Sequence, residues 1–259
     1  MEWQVWQCVE WALVFCFGIA LGSFANVLIF RIPRALSLIY PNSFCPHCQT
    51  KLQWRDKIPL FSFLAYRAQC RHCKAKIPFY YISSEILGGI FAIFCYAWLG
   101  ILGIFLFLLL LCFYVLSLID WEFLEIPDSL NFANLALAIL YGANALPTHW
   151  FGIAWLESLI FALCFMGFAS FIRIFIGSIV CKEVLGEGDI IVFGALGAGL
   201  GLSGILAIFF GSALALFVLL LFKILKTNPQ RLEIPFVPFL FMGFLIVILC
   251  HFFSFCNGI

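Results

Sequence analysis

The chain has 259 residues; 65% are hydrophobic, 19% are aromatic, only 10% are charged, and the formal net charge is +1. This profile excludes an ordinary soluble domain. The near-neutral total says little by itself, because the placement of charge carries the information, and no nucleic-acid partner is expected.

Apolar runs close to the roughly 20 residues needed to cross a bilayer recur along the whole chain. The expected fold is an all-α polytopic membrane protein with about eight transmembrane helices, near residues 9–30, 83–100, 102–119, 129–146, 154–176, 190–203, 205–223 and 235–256. The first run reads as an uncleaved span, because Met1 to Glu10 holds Glu2 and Glu10 but no Lys or Arg and so lacks the basic start of a signal peptide. The sixth run is short and rich in glycine (Gly194, Gly197, Gly199, Gly201). It reads either as a tightly packed span or as a re-entrant segment.

One polar insert, residues 31–82, interrupts the pattern and is long enough for a small extramembrane domain. Placing it in the cytoplasm puts all 14 Lys and Arg on that side: nine lie in the insert, and Arg173, Lys182, Lys223, Lys226 and Arg231 follow the ends of later runs. The opposite loops, around Gly100, Ala145–Trp150 and Ser203, carry none. This positive-inside asymmetry supports the eight-span count independently of hydropathy.

The insert contains Cys45-Pro46-His47-Cys48 and Cys70-Arg71-His72-Cys73, two Cys-x-x-Cys knuckles separated by 21 residues. That spacing predicts a structural four-thiolate Zn²⁺ site made by Cys45, Cys48, Cys70 and Cys73. Nearby Arg71, Lys74 and Lys76 favour thiolates. Two disulfides are the alternative, disfavoured by a cytoplasmic location. His47 and His72 read as bystanders, and the remaining cysteines as packing residues, with Cys181, beside Lys182, the one to watch.

Two aspartates touch the membrane runs. Asp120 closes Leu116-Ser117-Leu118-Ile119-Asp120, and Asp189 closes Gly186-Glu187-Gly188-Asp189 and heads the sixth run. An acid in a span costs roughly 2.5–3.5 kcal/mol on insertion scales, so both are functional suspects. The charge-derived topology puts both at the cytoplasmic side, on different spans. Two close carboxyls share one proton and titrate as a unit. One then takes a proton from water while the other polarises a scissile carbonyl. Glu122, Glu125 and Asp128 crowd the first aspartate and would attract a basic peptide. Asp128, after Pro127, reads equally as a charge at the start of the fourth span. Gly186 and Gly188 let backbone come close to a partner or a bound peptide. If both acids merely capped helices, Asp120 would sit at the wrong, negative end of its own.

These residues resemble the bacterial type IV prepilin leader peptidases, bifunctional membrane enzymes of the G-x-G-D aspartyl protease class. The similarity runs through Gly22-Ser23-Phe24-Ala25-Asn26-Val27, the two-knuckle insert with Ile58-Pro59-Leu60-Phe61-Ser62, both aspartate blocks, and Pro235-Phe236-Val237-Pro238-Phe239. The resemblance implies Asp120 and Asp189 as the catalytic pair. It implies cleavage of the short basic leader of prepilins or pseudopilins at the cytoplasmic face of the bacterial inner membrane, serving a type IV pilus or protein secretion. It also implies N-methylation of the new N-terminus with S-adenosylmethionine, a function of the N-terminal part; Glu85 and Gly89 fit that family's E-x-x-x-G stretch. The chain departs from the family pattern at Asp56-Lys57, Phe79-Tyr80-Tyr81, Ile191 and Val237. The division expected is a first helix over 1–30, the insert over 31–82 (with 83–100, the methyltransferase part) and a peptidase domain over 101–259.

Other readings are a peptidase without methylation, an ion- or proton-coupled transporter, and a non-catalytic secretion scaffold. A transporter tends to hold its acids at the midplane, often in repeated halves. Here they lie at one surface and no repeat is visible.

Overall fold

A computed structural model of the chain describes residues 2–40, 42–145, 152–182, 185–225 and 234–256. Its helices are α1 (Glu2–Arg31), α2 (Phe61–Ala65), α3 (Tyr80–Leu99), α4 (Gly103–Phe123), α5 (Asp128–Ala145), α6 (Ala154–Val180), α7 (Glu187–Leu200), α8 (Gly204–Ile224) and α9 (Val237–Cys256). Helix is what such apolar runs must form in lipid, because each N–H and C=O then finds its partner within the segment. Among the described residues, β-structure is limited to the isolated bridges Phe44–Lys51 and Gln69–Lys76.

Five stretches are long and apolar enough to cross a membrane: Trp6–Arg31, Tyr80–Phe123, Ala154–Val180, Glu187–Ile224 and Val237–Cys256. The protein is therefore a multi-pass helical membrane protein. Two of these stretches, of 44 and 38 residues, each hold two helices. The breaks come at Gly100 and Gly201, with φ of 58° and 59°, each opening a short 3₁₀ turn. Glycine tolerates that left-handed conformation without steric cost, so the chain can reverse there.

The chain divides into two compact units, Met1–Phe107 and Leu108–Ile259, with the boundary inside α4. In the first unit, α1 packs along α3. A side chain on Gly18 would strike the Gly88 carbonyl, and one on Gly22 the Ser84 carbonyl, so glycine permits the backbone contact. A buried polar clasp adds to it. Asn26 Nδ2 donates to the Tyr81 carbonyl at 3.1 Å, and Ser84 Oγ donates to Asn26 Oδ1 at 2.6 Å. The Gly22–Asn26 block thus joins α1 to α3.

In the second unit, α7 packs against α5, α6, α8 and α9. It is 14 residues long, and every residue from Val192 to Leu200 is buried. At 1.5 Å per residue it spans only about 21 Å. Gly194 lies against Met166, and Gly197 against Phe165 and the Phe161 carbonyl. The glycine-rich sixth run is thus a tightly packed helix in a protein interior. Phe113 of α4 meets Phe241 and Phe244 of α9 with ring centroids 5.3 and 5.7 Å apart, a favourable aromatic spacing.

Candidate active site and cysteine centre

Both aspartates lie in the second unit. Asp120 is three residues before the end of α4, and Asp189 is the third residue of α7. They sit at helix ends, as the topology predicts, rather than mid-helix. They line one pocket of about 320 Å³, together with Leu124, Ile126, Gly186, Glu187, Gly188, Ile234 and Phe236. Asp120 is 6% and Asp189 9% exposed, so each carboxyl is held in a largely dry wall that still opens on a cavity.

Local structure explains the placement. Leu124 ends α4 in the left-handed region, φ 56°, and its N–H donates to the Asp120 carbonyl at 2.9 Å. This turns the chain into Ile126 and Pro127 ahead of α5. At the other wall, Gly186 precedes α7 in an extended conformation, and its N–H donates to Asp189 Oδ2 at 3.2 Å. Asp120 Oδ2 accepts the Val237 N–H at 2.9 Å. This bond ties the end of α4 to the start of α9 across 117 residues of sequence.

The two motifs also touch directly. A Cβ on Gly188 would come within 2.8 Å of Ile126 Cβ. Asn131 Nδ2 donates to the Gly188 carbonyl at 2.8 Å. Ile126, Asn131, Phe236 and the Val237 N–H were not expected from sequence. Ile126 lies within the first aspartate block and Asn131 just after it, and both look like ordinary packing residues there; Val237 contributes through its backbone, which residue identity does not report.

The other acids fall elsewhere. Glu122, Glu125 and Asp128 are exposed and do not line the pocket. Asp128 opens α5, where a negative charge suits the helix N-terminus. Glu187 lines the pocket with a side chain 84% exposed, and Arg173 of α6 donates to its Oε1 at 3.0 Å. Glu183 lies outside the described residues. Cys181 caps α6 with φ 53° and does not line the pocket.

In the first unit, Cys45, Cys48, Cys70 and Cys73 have all four Sγ atoms within 4.8 Å of one another, and none is disulfide-bonded. Cys45 Sγ and Cys73 Sγ are 3.8 Å apart. A tetrahedral site with metal–sulfur bonds of about 2.3 Å has an edge of about 3.8 Å, so this separation fits a metal. The knuckles are built alike. Thr50 C=O accepts the Cys45 N–H and Ala75 C=O accepts the Cys70 N–H, while Gln49 and Lys74 turn at φ 56° and 59°.

The thiol chemistry also fits a cation. The hydroxyl and backbone of Thr50 hold the Cys48 thiol down at about 6. The backbones of Cys73 and His72 hold Cys70 below its usual range. The Ala75 backbone favours the Cys73 thiolate, but desolvation and the neighbouring sulfurs prevail and push that thiol up to about 11. Four thiolates this close repel unless a cation sits among them.

The Glu85–Gly89 stretch has another use in this structure. Glu85 Oε2 accepts the Leu60 N–H at 2.7 Å, which braces a left-handed residue of φ 59° in the Ile58–Ser62 block. Gly89 faces Phe15 and Ile19 of α1, whose side chains fill the space a Cβ would need. This packing at Glu85 and Gly89 does not fit a cradle for S-adenosylmethionine.

Apolar helices and an acid-lined pocket at their ends define a polytopic membrane protein with the makings of a hydrolase. Residues 16–99 match the Bacterial Peptidase A24 N-terminal domain, and residues 104–221 match the Type IV leader peptidase family. The protein named prepilin leader peptidase/N-methyltransferase in Vibrio cholerae serotype O1 is 31% identical, covering 92% of this chain and 97% of the relative. Proteins of that name from Klebsiella pneumoniae and Pectobacterium carotovorum are 32% and 29% identical; they cover 73% and 87% of this chain and 85% and 88% of their own length. No solved structure matches the chain significantly. The chain belongs to the type IV leader peptidase family.

Gly188→Ala forces a methyl group into Ile126, and overpacking of this kind costs about 1–3 kcal/mol. The strain falls on the first turn of α7. Peptidase activity should drop about tenfold or more while the protein still accumulates. Initial cleavage rates at matched protein levels check this.

Proposed function

We propose that this protein removes the short basic leader from prepilins or pseudopilins, with Asp120 and Asp189 as the catalytic pair. The observation that carries the reading is the meeting of these two carboxyls, from separate helices, in one pocket. One ionised carboxyl takes a proton from the attacking water, and the protonated one donates to the scissile carbonyl; the roles exchange as the amine leaves. Gly186 keeps the chain beside Asp189 slim where the peptide strand would enter, Gly188 lets Ile126 close the pocket wall, and the exposed Glu187 is placed to meet the basic residues of the leader. Glu122, Glu125 and Asp128 contribute long-range attraction.

Eight spans are reached when the two glycine breaks divide the longest apolar stretches into four helices, the other three stretches cross once each, and α5 is counted as the eighth. α7, too short to cross a hydrocarbon core of about 30 Å alone, would complete its crossing through its packing against other helices. The Lys and Arg distribution supports an active site facing the cytoplasm, and the family resemblance supports the bacterial inner membrane. Zn²⁺ held by Cys45, Cys48, Cys70 and Cys73 would fold the insert and supply no chemistry to cleavage, since a closed four-thiolate site keeps no open position. N-methylation of the new N-terminus rests on the name of the relatives, and S-adenosylmethionine as its methyl donor rests on the family resemblance alone. We assign it to the part before residue 101, leaving 101–259 as the peptidase.

The test is mass spectrometry of a prepilin co-expressed with and without this protein. Loss of the leader supports the peptidase, and an additional 14 Da, about one methylene, reports methylation. An unprocessed prepilin beside abundant membrane-inserted protein would overturn the reading.

A further inference from the structure

Asn131 and Asn134 lie three residues apart on one face of α5, and both are 0% exposed. Burying an amide is costly, because each polar atom left without a partner loses about 1–3 kcal/mol. Asn131 Oδ1 and both polar side-chain atoms of Asn134 have no hydrogen-bond partner among the described residues. Asn131 nevertheless makes one well-formed bond, from Nδ2 to the Gly188 carbonyl at 2.8 Å, across 57 residues of sequence. A leucine would fill similar space with no desolvation cost, so packing alone does not account for an amide here.

The position of that bond is informative. The Gly188 carbonyl belongs to the Gly188–Asp189 peptide, a rigid planar unit, so fixing the oxygen also fixes the nitrogen and Cα of Asp189. Ile126 closes the space on the Cα of the same glycine. The segment that follows Asp120 thereby holds the peptide that carries Asp189.

We propose that Asn131 is a positioning residue. By donating to the Gly188 carbonyl it sets the backbone of Asp189, and so the meeting of Asp189 with Asp120 in their shared pocket. This rests on the reading of Asp189 as half of the catalytic pair. Asn131 is buried and does not line the pocket; it acts through the Gly188 carbonyl.

The sharpest test is Asn131→Asp, in purified full-length protein cleaving a prepilin. A protonated carboxyl can donate to the Gly188 carbonyl, whereas an ionised one presents only acceptors to it. Relative to wild type at each pH, the variant should approach full kcat in acid and lose about tenfold or more as pH rises, with KM unchanged. The loss should reverse when one sample is returned to acid, which a folding defect would not do. A profile parallel to that of wild type, at any level, overturns the proposal. Asn131→Leu provides an independent arm: kcat should fall about tenfold at unchanged KM, and wild-type kcat would overturn the proposal. Wild-type cleavage, and its loss in Asp189→Asn, report separately on the peptidase reading in the same assay.

Discussion

Replacing either Asp120 or Asp189 by Asn abolishes leader cleavage while the protein still accumulates in the membrane. The substitution keeps the side chain's shape and leaves an oxygen to accept the Val237 or Gly186 N–H, so packing around the pocket survives. What it removes is a group that can gain or lose a proton. General acid–base catalysis contributes typically about 10²–10⁴-fold, and here one pair supplies both the acid and the base. A loss of about a thousandfold or more is expected from each single variant. Because the carboxyls act as a unit, the double variant should be hardly worse than either single one. Quantitative cleavage of a co-expressed prepilin, in cells lacking other leader peptidases, measures this; normal processing by either variant removes the aspartyl pair from the mechanism.

Cys70→Ser should have the largest effect on the first unit. Cys70 and Cys45 are the buried members of the cluster. A four-thiolate site that loses one ligand can no longer close around the metal. Structural zinc supplies about 10–16 kcal/mol of apparent folding free energy in small zinc peptides. Among the described residues, the insert between α1 and α3 has little else to fold on: one five-residue helix, a 3₁₀ turn at Trp54–Lys57 and two isolated bridges. Zinc content is expected to fall from about one ion per chain to near none, and the insert to become open to trypsin at its many basic residues. Acid should release the metal from wild type as well, because every ligand must be a thiolate and protons compete for the sulfurs. Metal analysis of purified protein decides the matter, and an unchanged zinc content in Cys70→Ser would rule out the site.

Much of this architecture is legible in the order of residues. Membrane segments announce themselves because lipid forces helix on any apolar run, and the breaks at Gly100 and Gly201 fall close to the predicted span ends, Gly201 just inside the predicted sixth run. The cysteine knuckles are equally local, each closing within a few residues, so their spacing indicates the cluster. Asp120 and Asp189 are visible because a carboxyl at the edge of an apolar run needs a reason to be there. The parts of the pocket that sequence reasoning missed are the ones made by partners far apart in the chain. The Val237 N–H on Asp120 and the Asn131 amide on the Gly188 carbonyl are bonds to backbone, and any residue type presents a backbone.

Sequence reasoning also gave Glu122, Glu125 and Asp128 a place at the site that the structure does not. Closeness along the chain suggested it, but Glu122 stands exposed on the last turn of α4, and Glu125 and Asp128 follow the turn through Leu124 and are exposed as well; none of the three lines the pocket. Gly89 is similar. Its spacing from Glu85 matches a family pattern, but its missing side chain makes room for Phe15. What the amino-acid order determined alone is the set of helices, the thiol cluster and the two acids, since each follows from the chemistry of a short stretch in lipid or water. Only the tertiary structure decided that those acids share one cavity, because a pocket walled by α4, α7 and the entry to α9 forms only when segments over a hundred residues apart pack together.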